Sequence, residues 1–340
     1  MTTTAAPSLT GAQPNLPMQV KYTTLLWILA TAPIGGLIVL LDQYVLGGAV
    51  QRAMDIPIDQ ILGITAILTF PHIIASLIGF ADPEYARFYK KPLIKGILIS
   101  AGIAIACKIF IDGPVILLIV AFYSIYHNIM QQFGITAMML RRKQTLLYGI
   151  MKWMLVIPSA LAFAVVMLSF IPEITEFKGP FMDIVGLCLG IATILAVIYY
   201  LQIRKDPDLP KIGVQYYLGN IIWMYVSYFM IAGGYGLMAI IVSRIIHDFT
   251  AYWIYMVHDQ NRNGAINRNP IYALPIKLGI KPLYLLVPTA IIISSIMLGI
   301  YSAHLNTMAV VISAFNIMHY YIEGHTWKRG TLHRQYVPFV

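Results

Sequence analysis

Charge is what this chain has least of. Only 11% of its 340 residues are Asp, Glu, Lys or Arg, against about 25% in an ordinary soluble domain. With 59% hydrophobic residues and a mean hydropathy of +0.75, the composition excludes a water-soluble globule and points to an all-α, polytopic membrane helix bundle. Cysteine is nearly absent too. Cys107 and Cys188 both fall in apolar runs, which excludes a disulfide framework and a cysteine-based metal site. The opening MTTTAAPSLTGAQPNLPMQV lacks the basic start and apolar core of a signal peptide, and residues 1–22 read as a polar lead-in. No domain-sized internal repeat follows, so 23–323 reads as a single transmembrane domain and 324–340 as a basic tail. The net charge of +9 calls for no nucleic-acid partner. Basic loops facing anionic membrane lipid account for it.

At about 20 residues per span the length allows eight to ten helices. The apolar runs fall near 23–47, 58–80, 94–111, 114–139, 146–171, 181–203, 213–232, 236–258, 282–302 and 305–323. Ten spans put every basic cluster on one side: Arg87 to Lys95, Arg141 to Lys143, Arg204 to Lys211, Arg262 to Lys281, and Lys328 to Arg334. The positive-inside rule then predicts both termini in the cytoplasm of a cell with the protein in its inner membrane.

Within this apolar setting one stretch stands apart. Ser243 to Arg262, SRIIHDFTAYWIYMVHDQNR, holds Arg244, His247, Asp248, Tyr255, His258 and Asp259. At about 100° per residue these six form one polar stripe, and the two His-Asp pairs lie about 16 Å apart along the helix. Ionisable groups at membrane depth face a bundle interior or a wet cavity.

Seven of the eight histidines lie on or just after the second, fourth, eighth and tenth spans, all running toward the basic side. His72 shares a helical face with Thr65, Thr69 and Ser76. His127 has Tyr123 one turn before it and Gln131 one turn after. His319 has Asn316 before it and Glu323 four residues on. At about 1.5 Å per residue, His72 and His319 lie about 13 Å from the basic loops and His127 and His247 about 20 Å. Four helices thus bring imidazoles to adjacent levels, which is how bundle metal sites are assembled. Neutral imidazole suits iron, copper, zinc or nickel, and Gln131, Glu323, Asp248 and Asp259 are placed as ligands or as groups fixing the rings. A lone intramembrane His more often bonds helix to helix; four on co-directed helices point instead to a metal. His258 and His325 fall where a helix meets water, and His304 and His333 read as surface residues. Tyr123, Tyr126, Trp253, Tyr255, Tyr320 and Tyr321 form a lining suited to an elongated apolar substrate, or equally an interfacial belt.

The Pro71-His72 step within an apolar span, the Tyr126-His127 stretch leading to Gly134, His247 on a late span and the lack of cysteine ligands resemble the Brp/Blh family of membrane β-carotene 15,15'-dioxygenases. The likeness is of type and spacing over scattered segments. His72 is followed by Ile73-Ile74-Ala75 where that family continues with Gly toward an Asp, and the late His pair is eleven residues apart. The resemblance implies a multispan enzyme with an Fe(II) site held by histidines, molecular oxygen as co-substrate and a lipid-soluble polyene from the bilayer as substrate. The expected ligands are His72, His127, His247 and His319, with Glu323 and His258 as further candidates and Tyr123, Tyr255 and Asp248 beside the reacting groups. Membrane di-iron desaturases, the other His-rich oxidases, carry HxxxH and HxxHH clusters that this chain lacks. A proton- or ion-coupled transporter with a His/Asp/Arg path, and a b-type haem protein with two axial His, are the competing expectations.

Overall fold

Proline and glycine punctuate the apolar runs, and the helices start and stop at them. In a computed structural model, described for residues 18–110, 113–142, 144–167, 172–301, 305–328 and 330–340, the elements are helical. They run α1 (Tyr22–Leu29), α2 (Thr31–Tyr44), α3 (Ala49–Ala53), α4 (Ile58–Ile78), α5 (Pro83–Phe88), α6 (Lys90–Phe110), α7 (Gly113–Met139), α8 (Leu146–Met167), α9 (Pro172–Ile203), α10 (Lys211–Ala232), α11 (Gly236–Asn263), α12 (Ala273–Lys277), α13 (Leu286–Tyr301), α14 (Leu305–Thr326) and α15 (Leu332–Gln335). A helix occupies each of the ten expected segments. Among the described residues, five stretches are long and apolar enough to cross a membrane: Tyr22–Tyr44, Leu146–Val166, Glu176–Ile203, Gly236–Asn263 and Pro282–Ile300.

Some boundaries differ from the sequence reading. The first segment divides into α1 and α2 at Ala30, just before Pro33, which has no N–H to give the preceding turn. Helix α9 begins at Pro172 rather than 181; Pro suits the first position of a helix, where its missing N–H costs no hydrogen bond. The Gly233-Gly234 turn joins α10 to α11 as expected, with Gly234 at φ +86°, a conformation that side chains with a Cβ resist.

The polar stripe lies on the most enclosed of the membrane-length helices. Its Ile246, Ile254 and Val257 join an apolar core built from α1, α2 and α7 to α10. Ala251 and Tyr255 join a second core with α4, α13 and α14. With 28 residues, α11 is about 42 Å long and runs between the two cores.

The two chain ends meet. Val20 N–H donates to the Pro338 carbonyl (2.8 Å), Tyr22 N–H to Val340 (2.8 Å) and Val340 N–H back to Val20 (3.0 Å). The Asn261 amide donates to the carbonyls of Met18 and Tyr336. The stretch expected as a basic tail is therefore folded onto the end of α11, with Val337 and His333 buried. Long-range strand-like pairing of this kind has no local sequence signal. Residues 1–17, the greater part of the expected lead-in, lie outside the described residues, as does His304.

Candidate metal centre

Helices α4, α7, α11 and α14 supply one polar group each turn or so to the space between them. The Nε2 atom of His72 lies 3.1 Å from Nε2 of His319 and 3.1 Å from Nε2 of His247. The rings stand edge to face, at 90° and 74°, and all three residues are fully buried. On the far side of His319, Glu323 Oε2 stands 2.9 Å from His127 Nε2 and 3.8 Å from His319 Nε2. The Tyr255 hydroxyl donates to the other oxygen, Oε1, so that Oε2 is left facing the imidazoles. Within each set, His72/His247/His319 and His127/His319/Glu323, the ligand atoms lie within 4.8 Å of one another.

Hydrogen bonding alone does not explain this convergence. Ser76 donates its hydroxyl proton to the Ile73 carbonyl at 2.7 Å, so its oxygen accepts from His319 Nδ1–H, also at 2.7 Å. That assigns His319 the tautomer whose bare lone pair is on Nε2. His72 Nε2 then faces nitrogens on two sides. With one proton it serves one neighbour, and with none it presents a lone pair to another lone pair. The His127 and Glu323 atoms are close but out of hydrogen-bond alignment, and His127 Nε2 has no hydrogen-bond partner among the described residues.

A metal ion fits that geometry. Metal–nitrogen bonds of about 2.0–2.1 Å place neighbouring ligand nitrogens about 2.9–3.4 Å apart for angles of about 90° to 110°. The 3.1 Å spacings fall inside this range. His319 belongs to both sets and has one free lone pair, so it can serve an ion in one set at a time.

The surroundings are charged as well as polar. Arg244 holds Asp248 through a 2.7 Å bond and reaches Asn128 at 3.4 Å. All three are buried, and they tie α11 to α7 one turn from His247. Asp248 Oδ1 stands 3.9 Å from His247 Nε2. Tyr320 stacks on His127 at 4.1 Å, and Tyr123 packs on Tyr320 at 5.2 Å. Tyr123 is thus one ring removed from the centre, and Tyr255 touches it through Glu323. The His127 side chain is 15% exposed against 0% for His319, although its Nε2 is buried.

His258 and His333 form a separate pair. His258 donates from Nδ1 to Asp259 Oδ1 at 3.0 Å, and its ring stacks on His333 at 4.3 Å with planes 19° apart. Its Nε2 is not among the converging atoms. The near-parallel rings keep the His258 and His333 lone pairs from meeting at one ion. His333, expected at the surface, is 4% exposed, because α15 folds back against Tyr85, Trp327 and His258. Burial first, then the charges of His258, Arg334 and Arg262, holds its pKa well below the ordinary imidazole value, while burial pushes the Tyr85 phenol well up. His325 bonds the Tyr321 carbonyl one turn back, at 2.8 Å. Sequence reasoning placed Ser76 on the face of His72 but missed its role, and gave Tyr85 and His333 none.

No family model, curated protein or solved structure matches the chain.

Proposed function

We propose that this chain is a ten-span protein of the cytoplasmic membrane, both termini on the cytoplasmic side, and an iron-dependent oxygenase of a lipid-soluble substrate. His72, His127, His247 and His319 would hold the iron, with Glu323 as the carboxylate in the same shell. The carrying observation is that the Nε2 atoms of His319 and His247 each lie 3.1 Å from that of His72, with the His319 tautomer set by Ser76. Bound iron supplies the activation of molecular oxygen, which side chains alone do not provide.

The chain's own part is geometric. Ser76 and Tyr255 fix one ring and one carboxylate, so the donors are oriented before an ion arrives. Asp248 holds the Arg244 guanidinium within α11, Arg244 reaches across to Asn128 on α7, and the apolar cores keep bulk water out. The exposed edge of His127, beside Tyr320 and Tyr123, is where an apolar substrate from the bilayer would approach. The resemblance given above makes cleavage of a polyene double bond the specific reaction. With the imidazole nitrogens only 3.1 Å apart, the His72 pairs leave no room for a macrocycle between them, which favours a single ion over haem.

Metal analysis and a visible spectrum of the purified protein test the reading. We expect about one iron per chain and no haem Soret band, with metal lost in His127→Ala and His72→Ala. Full retention of metal in both variants defeats the proposal.

A further inference from the structure

Between α11 and α13 the chain makes an elbow, residues 264–285, that carries α12 flanked by two short 3-10 turns. Its inner side is fully accounted for. The Asn269 amide donates to the Ile78 carbonyl at 3.0 Å, the Tyr272 hydroxyl to Asp259 at 2.5 Å, and Gln260 accepts from Leu283 N–H at 3.2 Å. Asn263 and Asn269 cap the local turns. The elbow is thereby pinned to α4 and α11 at several points.

Its outer side is apolar. Ile266 is 68% exposed, Leu274 67%, Leu278 72% and Tyr284 60%, with Ile271 and Ile280 above 40%. Six large apolar side chains turned outward within nineteen residues, on a segment held rigid from behind, are more than scattered surface residues explain. Leu274 and Leu278 lie one turn apart and share a face. Lys277 and Lys281 stand exposed among them, whereas Arg268 on the same elbow is paired with Glu84. The next exposed large apolar side chains in the chain are those of α13, where Ile291, Ile292, Ile296 and Ile300 face outward on a stretch of membrane-crossing length.

We infer that this elbow is a membrane-surface anchor that binds anionic phospholipid headgroups. Its leucines sit at the boundary of the acyl region, and Lys277 and Lys281 meet the phosphates. Apolar side chains on one side with lysines at the rim are the pattern of segments lying in the plane of a bilayer, and each lysine near an anionic leaflet favours the surface-bound state by about fivefold. That the chain runs directly from the elbow into α13 commits the occupant to lipid rather than to another protein.

Nitroxide labels at Leu274 and Leu278, one at a time, in protein with Cys107 and Cys188 replaced by Ala, test this in vesicles of phosphatidylcholine with and without phosphatidylglycerol. In phosphatidylglycerol vesicles we expect both labels to be relaxed more by oxygen than by a water-soluble nickel chelate. That excess should shrink in pure phosphatidylcholine and in the double variant Lys277→Glu/Lys281→Glu. Labels dominated by the nickel chelate in phosphatidylglycerol would place the elbow in water and overturn the inference. An oxygen excess indifferent to both lipid charge and lysine reversal would overturn it equally, leaving apolar burial without headgroup binding. The labelled leucines and the reversed lysines are exposed, and iron content, read on the same samples, separates this result from the fate of the metal centre.

Discussion

Removing the Ser76 hydroxyl isolates the one interaction that sets which nitrogen of His319 is bare. Ser76 is partly buried, its bond to His319 Nδ1 is 2.7 Å, and the same oxygen donates back to Ile73. Ser76→Ala deletes one oxygen and leaves every proposed ligand in place. Freed of its partner, the imidazole can carry its proton on Nε2 or turn, and metal binding must then supply the ordering. Partners of this kind are worth about 10–100-fold in metal affinity, or about 1.4–2.7 kcal/mol. The assay is competition between the detergent-solubilised protein and a chelator of known affinity for Fe(II) or Co(II). Ser100→Ala is the control, since Ser100 makes the same bond to its own helix, to the Ile97 carbonyl at 3.0 Å, but lies on α6. We expect affinities in the order wild type and Ser100→Ala, then Ser76→Ala, then His319→Ala, which loses a ligand outright. A Ser76→Ala affinity within twofold of wild type, with His319→Ala clearly weaker, would refute the tautomer argument.

Three further outcomes follow from the same packing. Tyr255→Phe leaves Glu323 Oε1 without its donor, and a melt in detergent without added metal should show a loss of about 1–3 kcal/mol. Arg262→Met strips the cation from Asp82, which is buried and accepts from Arg262 Nε at 2.7 Å while capping α5. Breaking a buried pair from one side costs about 3–5 kcal/mol, so denaturation should shift far more than in Arg268→Met, whose partner Glu84 is exposed. His333 is held neutral in the folded chain by burial, so the unfolded chain binds the extra proton once pH falls below about 6.5. The stability of the wild type should therefore drop as pH falls below that value, and His333→Phe should lose part of this dependence when melts are compared at pH 8 and pH 5.

Much of the centre was legible because its signals are local. Helical spacing put Glu323 one turn from His319 and Asp248 one turn from Arg244, and residue counting from the basic loops put His72, His127, His247 and His319 at adjacent levels. The His127 and His247 positions, counted about 7 Å deeper than the other two at about 1.5 Å per residue, nonetheless meet them, because residue counting ignores helix tilt and the differing lengths of loop at each end. What could not be read depended on distant chain. Nothing near His333 announces that Val20 will pair with Val340 and draw α15 against His258. The apparent equivalence of the two His-Asp pairs was likewise a local impression: His247 meets imidazoles from α4, whereas His258 meets one from the C-terminal turn.

His72 and His319 are separated by 247 positions, and Glu323 comes later still. A nascent chain holding α4, α7 and α11 has three of the imidazoles but neither the fourth nor the carboxylate. A complete ligand set arises only once α14 has been synthesised and inserted beside helices made long before. On the proposed metal reading, loading would be a terminal event of biogenesis, and a chain interrupted before α14 would be left with an incomplete set, distinguishable from the finished protein by its metal content alone.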